Sequence, residues 1–145
     1  MPLARFPYIS LPLPADDAHP SGSIAHRPLA FATIAAVNQI PVRYIVMPDS
    51  GADACLFPLR LAKSLGLDVL QMPQGVTGGL GTSTNTTYRA QITVDLGSGI
   101  EFAAYAGFTQ GMDRMGLGLL GQLDFFDHFR VEFLLSQRIF TIESS

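Results

Sequence analysis

The sequence predicts a mostly β, barrel-like fold with one or two short helices. Many short runs of β-branched and aromatic residues follow one another, separated by turns rich in Gly, Asn and Ser. In the clearest run, residues 88–96, apolar and polar side chains alternate at every position, which is typical of a half-buried strand. With 145 residues, 48% hydrophobic and 14% charged, the chain can bury its own core as a single domain.

Turn residues divide these runs into three hairpins. The hairpins join residues 31–37 to 42–47 through Asn38-Gln39-Ile40-Pro41, residues 88–96 to 100–108 through Gly97-Ser98-Gly99, and residues 130–135 to 138–142 through Ser136-Gln137. A separate apolar run at 117–120 lies between glycines and is long enough only for a buried strand. Short strands in this number favour a barrel-like body over a helical one.

The helical signals are few and short. Pro58 is compatible with a first helical turn, and Leu61 and Leu65 then share one face. Gly66 provides a helix stop. A second short helix is predicted at residues 123–129.

The first 25 residues differ in composition from the rest of the chain. They contain five prolines together with Asp, Ser and Gly, which favours an extended arm over a packed element. We therefore expect an arm at residues 1–25 and one folded domain at 26–145. No apolar stretch approaches the roughly 20 residues of a membrane-spanning helix, so neither a signal nor a membrane anchor is expected, and the expected location is cytoplasmic.

Charge and composition argue against several classes of ligand. The net charge is −3, Lys63 is the only lysine, and no basic stripe exists to neutralise phosphates, so nucleic acid is not an expected partner. A single cysteine and three dispersed histidines predict neither an internal disulfide nor a metal site. Residues 116–121 match the spacing of a dinucleotide fingerprint, but no βαβ pattern surrounds them. We therefore expect no cofactor.

The stretch with the most chemical information is 42–53, where an apolar strand leads a carboxylate into a tight turn. Asp49 ends the strand, the Ser50 hydroxyl can hold the loop by hydrogen bonding, and Gly51 lets the backbone turn sharply. Such a loop presents one carboxylate rigidly. The alternative interpretation is an ordinary β-turn with Asp at its first position.

The surroundings of this turn favour a functional site. A hydrophobic strand followed by Asp49-Ser50-Gly51-Ala52 resembles the active-site motif of the retropepsin-like, single-lobe aspartic proteases. The resemblance extends from Arg27 to Ile142 and implies a closed β-barrel lobe that dimerises. Its further segments, in the family's order, are His26-Arg27-Pro28-Leu29, Leu56-Phe57-Pro58, Leu65-Gly66-Leu67, Gly78-Gly79-Leu80-Gly81, Leu119-Leu120-Gly121, Asp124-Phe125-Phe126 and Phe129-Arg130-Val131-Glu132.

The resemblance implies a role for each residue of the turn and for a distant loop. Asp49 is the catalytic carboxylate, and Ser50 and Gly51 hold its loop. Ala52 and Asp53 contact the substrate, with pairing to an arginine, Arg27, as the alternative role for the second of them. A flap over the substrate, drawn from about residues 75–88, contains four further substrate-binding residues: Gly78, Gly79, Leu80 and Gly81.

The implied chemistry needs two carboxyl groups, and one chain offers one. Asp95-Leu96-Gly97 has similar spacing but lacks the hydroxyl residue. A second copy supplies the second Asp49 across a two-fold axis. The expected function is therefore an aspartic endopeptidase that cleaves a polypeptide with carboxylate-activated water, at a site formed between the subunits of a homodimer.

Two departures from the family pattern keep alternatives open. Pro48 stands where the family has an aliphatic residue, and proline removes a ladder donor. Gln122 stands where retroviral enzymes often have arginine, so the ion pair that supports Asp53 there is absent or comes from Arg27. One alternative is a non-catalytic dimeric peptide-binding module with the same fold. Another is a processing domain released from a longer precursor, with the proline-rich arm as its leader.

Overall fold

The computed structural model describes residues 3–77 and 85–145, which form twelve β-strands and one α-helix. The strands are β1 (Leu3–Pro7), β2 (Ile9–Leu13), β3 (Ser23–Arg27), β4 (Ala30–Ala36), β5 (Val42–Pro48), β6 (Leu56–Pro58), β7 (Gln74–Thr77), β8 (Asn85–Asp95), β9 (Glu101–Thr109), β10 (Gly118–Leu120), β11 (Phe129–Leu134) and β12 (Ile139–Ser144). The helix, α1, is Leu59–Ser64. Short 3-10 turns lie at Val69–Gln71, Gln110–Met112 and Leu135–Gln137. The predicted mostly β architecture is confirmed.

Six of these strands close into a barrel. Strands β4, β5, β10, β6, β9 and β8 are hydrogen-bonded in that order, and β8 also pairs with β4, which closes the ring. Strand β7 pairs with the N-terminal part of β8. Because β10 runs parallel to β5, the C-terminal ends of the two strands, Leu120 and Pro48, lie side by side.

The core of the barrel is aromatic and aliphatic. Phe57, Phe108 and Phe125 have no exposed surface, and the first two stack with ring centroids 5.7 Å apart. The alternation predicted for β8 is observed, since Ile92 and Val94 are buried while their neighbours are not. Complete burial of side chains of this size contributes about 1.5–3 kcal/mol each relative to full exposure.

The three predicted hairpins are present. Strand β4 pairs with β5, β8 with β9, and β11 with β12, all antiparallel. In the β8–β9 turn, Gly97 and Gly99 have φ values of 79° and 81°. Glycine adopts this left-handed conformation without the steric cost that other residues meet, which explains the glycines at these two positions.

Helix α1 follows the sequence signals. It begins after Pro58, buries Leu61 and Ala62 against the barrel, and is followed by Gly66 at φ 78°. The chain then leaves the helix in the left-handed conformation typical of a C-terminal glycine. In residues 3–77 and 85–145, no helix has the length and apolar character needed to cross a membrane.

The N-terminal segment is more ordered than its composition predicts. Strand β1 pairs with β12 over five residues and buries Ala4, so the expectation of an unpacked arm is wrong for this strand. Strands β2 and β3 form a separate two-stranded sheet that is largely exposed. The composition of residues 1–25 is misleading because β1 pairs with a strand near the other end of the chain. The local sequence around β1 carries no signal of that pairing.

The predicted helix at residues 123–129 is replaced by a wide helical turn at Gln122–Phe126, and Phe129 already belongs to β11. The turn is interrupted at Asp124, whose φ is 72°. Its carboxylate Oδ2 accepts a hydrogen bond from the backbone N–H of Tyr105 at 2.9 Å. This bond ties the turn to β9, and the left-handed conformation of Asp124 interrupts regular helix geometry.

Candidate active site

Asp49 follows directly on β5 and is held by a compact set of hydrogen bonds. Its backbone N–H donates to the carbonyl of Leu120 at 2.9 Å, which extends the β5–β10 pairing by one step. Its side-chain Oδ1 accepts from the N–H of Gly51 at 2.9 Å, and its carbonyl accepts from Ala52 at 3.1 Å. The carboxylate is half-buried, and Oδ1 is the only one of its oxygens with a partner in the described part of the chain.

The segment after β10 runs alongside this turn and binds it at three points. The backbone N–H of Gln122 donates to the carbonyl of Ala52 at 2.8 Å, and that of Leu123 donates to Asp53 at 2.9 Å. The side-chain Nε2 of Gln122 donates to the carbonyl of Ser50 at 2.8 Å. The turn is therefore fixed along its length by the segment that follows Leu120.

Gly121 makes this close approach possible. A Cβ atom on Gly121 would lie 2.7 Å from the carbonyl oxygen of Ala52 and would also clash with the carbonyl group of Ala54. Both contacts are with backbone, which cannot move aside as a flexible side chain would. Glycine is required here by lack of space, since its φ of −101° is accessible to any residue.

Pro48 fits at the end of β5 without loss of a ladder hydrogen bond. Successive residues of a strand direct their N–H groups to opposite sides. The N–H of Asp49 points to β10, so the nitrogen of Pro48 faces the side of β4. The pairing of β4 with β5 ends at Val46, opposite Ala30, and does not extend to this position. The proline therefore leaves the geometry of the Asp49 turn intact.

A small apolar cluster flanks the turn. Leu56, Met112 and Leu119 are buried, and three partly buried side chains pack against them: Met47, Ala52 and Leu117. Met47 lies two residues before Asp49, and alternation along an extended chain places both side chains on the same face. The carboxylate thus stands beside apolar surface that is only partly covered. The period of two along β5 is the sequence signal that could have identified Met47.

Cys55 lies beside the segment that follows β10. It is buried, and its Sγ is 3.9 Å from the carbonyl oxygen of Leu123. Burial raises the pKa of the thiol from 9.0 to about 11. A hydrogen bond with Gly121 acts in the opposite direction, and the nearby charge of Asp124 raises the pKa further. The thiol packs as a small apolar group.

The other predicted site residues are placed only in part. Ser50 and Asp53 are exposed, and no ion pair joins Asp53 to Arg27 within residues 3–77 and 85–145. The flap residues Gly78, Gly79, Leu80 and Gly81 lie outside the described residues. The strands that lead into and out of that segment, β7 and β8, are paired from Gln74 opposite Tyr88 to Thr77 opposite Asn85.

The second Asp-x-Gly sequence has a purely local role. Asp95 accepts a hydrogen bond from the N–H of Gly97 at 2.8 Å, which stabilises the β8–β9 turn. Asp95 is exposed and lies opposite Glu101 at the end of the hairpin. Among the described residues, no group of three His, Cys, Asp or Glu side chains is arranged to hold a metal ion. Of the two Asp-x-Gly aspartates, Asp49 is thus the candidate for the site.

The fold matches that of a known class of enzymes. A crystal structure of a retropepsin-like aspartic protease from Rickettsia conorii superposes with a TM-score of 0.54 at 16% sequence identity, over 97% of this chain and 93% of that chain. No family model and no curated protein matches the sequence. At this identity the likeness shows the fold alone. The retropepsin-like fold predicted from the sequence is confirmed.

Proposed function

We propose that this protein is an aspartic endopeptidase whose active site forms between two copies of the chain, with one Asp49 from each. The observation that carries the proposal is the position of Asp49 in a retropepsin-like barrel. Its carboxylate is half-buried at the end of β5, one oxygen is held by the N–H of Gly51, and the other has no partner in the described part of the chain. The oxygen without a partner can therefore contact the carboxyl group of a second Asp49.

Two such carboxyl groups supply an acid and a base at once. Like charges in contact cannot both ionise easily, so the pair retains one proton, and aspartic proteases are the standard example of this behaviour. The ionised Asp49 takes a proton from water, whose oxygen attacks the peptide carbonyl carbon, while the protonated Asp49 donates to the carbonyl oxygen. In the resulting diol, the Asp49 that took the proton from water donates it to the amide nitrogen, and the other Asp49, now ionised, takes a proton from a hydroxyl group as the C–N bond breaks. The products are a carboxylic acid and an amine, and the pair again holds one proton. No metal is required in this scheme.

The proposed dimer follows from the number of carboxyl groups, because the reaction needs two and each chain contributes one Asp49. A two-fold axis through the site brings the two turns face to face, with Ser50 and Gly51 of each subunit at the contact. Both residues are exposed in the single chain, which leaves their surface free for a second copy. The apolar character of the chain, with 48% hydrophobic residues, also favours association.

An extended polypeptide is the proposed substrate. Its backbone would bind Ala52 and Asp53, and its apolar side chains would lie against Met47 and Leu117 beside the carboxylate. The proposed flap, including Gly78, Gly79, Leu80 and Gly81, would cover the substrate from the end of the β7–β8 pair and separate the reacting water from bulk solvent.

Cleavage of an unfolded protein tests the proposal. Casein is incubated with the wild-type chain and with Asp49→Asn between pH 4 and pH 6, with a chelator present, and the products are identified by mass spectrometry. We expect cleavage by the wild type only, because an amide keeps the shape of the carboxyl group but cannot exchange the proton. Equal cleavage by both proteins contradicts the proposed mechanism. Tight binding of peptides without cleavage by either would instead support a non-catalytic binding module.

A further inference from the structure

Gln122 binds the peptide group that holds the catalytic carboxylate. Its Nε2 donates to the carbonyl oxygen of Ser50 at 2.8 Å. The carbonyl of Ser50 and the N–H of Gly51 belong to the same peptide unit, and that N–H donates to Oδ1 of Asp49 at 2.9 Å. The peptide unit is planar, so fixing the direction of the C=O bond fixes the direction of the N–H bond. The side chain of Gln122 is thus linked to the Asp49 carboxylate through one rigid plane.

In the described part of the chain, no other group donates a hydrogen bond to the Ser50 carbonyl. The carbonyls of Ala52 and Asp53 are bound by the backbone N–H groups of Gln122 and Leu123. The carbonyl of Ser50, at the tip of the turn, has only the side chain of Gln122 as its partner. The two ends of the turn are therefore secured by backbone, whereas its tip depends on one side chain.

We propose that Gln122 is a positioning residue for the reaction assigned to Asp49 under the proposed function. Its amide orients the Ser50–Gly51 peptide group so that the Gly51 N–H points at Oδ1. A hydrogen bond accepted by the Ser50 carbonyl also polarises the peptide group and strengthens the bond that its N–H donates. Because the amide is neutral, it performs this role without placing a charge beside the carboxyl pair.

The test uses the full-length chain and two substitutions at this position. Gln122→Leu removes the donor, and Gln122→Glu replaces it with a group whose hydrogen bonding depends on pH. An ionised glutamate can only accept and opposes the Ser50 carbonyl, whereas a protonated glutamate can donate to it. Gln91→Leu and Gln91→Glu are matched controls, because Gln91 is exposed on β8 and makes no side-chain hydrogen bond in the described structure.

Initial rates of casein cleavage are to be measured for each variant relative to wild type from pH 3.5 to pH 6.5, and we expect the following pattern. Gln122→Leu lowers kcat about fivefold to tenfold at every pH, with KM unchanged, as expected for the loss of one positioning hydrogen bond. Gln122→Glu shows a similar loss at pH 6.5 and recovers at least half of the wild-type rate as the pH falls below about 4.3, the ordinary pKa of a glutamic acid. The Gln91 controls keep a constant ratio to wild type.

Three results would overturn the proposal. The first is a wild-type kcat in Gln122→Leu, and the second is a rise in KM alone, which would indicate contact with substrate. The third is a rate ratio for Gln122→Glu that does not change with pH, which would indicate a general effect on folding. Unfolding curves identify variants that fail to fold. If Gln122→Leu does not fold, the acid recovery of Gln122→Glu decides the question. A wild-type chain that cleaves nothing refutes the proposed function itself, which is a distinguishable outcome.

Discussion

Phe6 stacks on Phe140 with ring centroids 5.2 Å apart and ring planes inclined by 18°. The two residues lie opposite each other in the β1–β12 pair, which joins the first strand of the chain to the last. Ala4, two residues earlier on β1, is 3% exposed, whereas Leu3 beside it is 48% exposed. The N-terminal strand is therefore part of the packed body, and its contribution can be measured by substituting one residue on each face.

We expect Ala4→Asp to lower the free energy of unfolding by about 3 kcal/mol or more, because it buries a charge without a partner. Leu3→Asp, the matched control on the exposed face, should change it by less than about 1 kcal/mol. Urea unfolding followed by circular dichroism measures both. Similar unfolding midpoints for the two variants would show that β1 does not pack against the barrel.

Gly121→Ala tests the close approach that holds the Asp49 turn. Its Cβ would lie 2.7 Å from the carbonyl oxygen of Ala52, so the two segments must separate. We expect a loss of about 1–3 kcal/mol in unfolding free energy and at least a tenfold loss of kcat. Gly97→Ala, in the β8–β9 turn, is the control, because it is strained by its φ of 79° but its added Cβ would have no atom within 4 Å. It should lose stability and keep its kcat. Wild-type activity in Gly121→Ala would contradict this account of the turn.

Cys55 predicts a specific dependence of stability on pH. Burial raises the pKa of its thiol from 9.0 to about 11. Below pH 9 the thiol is protonated in both the folded and the unfolded chain and has no effect. Between pH 9 and pH 11 the unfolded chain releases this proton and the folded chain retains it, so the free energy of unfolding falls as the pH rises.

Cys55→Ala isolates this effect from other groups that titrate in the same range. From pH 8.5 to pH 10.5, the wild type should lose up to about 2 kcal/mol more unfolding free energy than the variant. Urea unfolding in the presence of a reductant at five pH values measures the difference. Parallel curves for the two proteins would mean that the thiol is not buried as described.

The parts of the fold that were predicted correctly are those with local signals. The β8–β9 hairpin follows from strict alternation and from Gly97-Ser98-Gly99 between its strands, and α1 follows from an apolar face that ends at Gly66. The tight turn at Asp49 was also predicted from local sequence, because the apolar strand and the turn residues after Asp49 follow one another directly in the chain. These elements need no information from distant parts of the chain.

The parts that were missed depend on contacts between distant residues. Strand β1 pairs with β12, a contact that the sequence around β1 does not reveal. The prolines around β1 therefore favoured an unpacked arm. The wide turn at Asp124 is bound to Tyr105 on another strand, a contact between residues 19 positions apart. The bond from Gln122 to Ser50 joins residues 72 positions apart, and the sequence indicated only that Gln122 stands where the retroviral enzymes that it resembles often have arginine.

Subunit mixing tests most directly whether one active site needs two Asp49 side chains. Wild-type chains are mixed with a ninefold excess of Asp49→Asn chains under conditions in which subunits exchange, and peptide cleavage per wild-type chain is measured. A heterodimer contains one carboxyl group and one amide and cannot share the proton, so random pairing should reduce activity to about one tenth. The same excess of a chain that cannot associate serves as the control. Activity that remains proportional to the amount of wild-type chain would show that each chain works alone and would contradict the shared site.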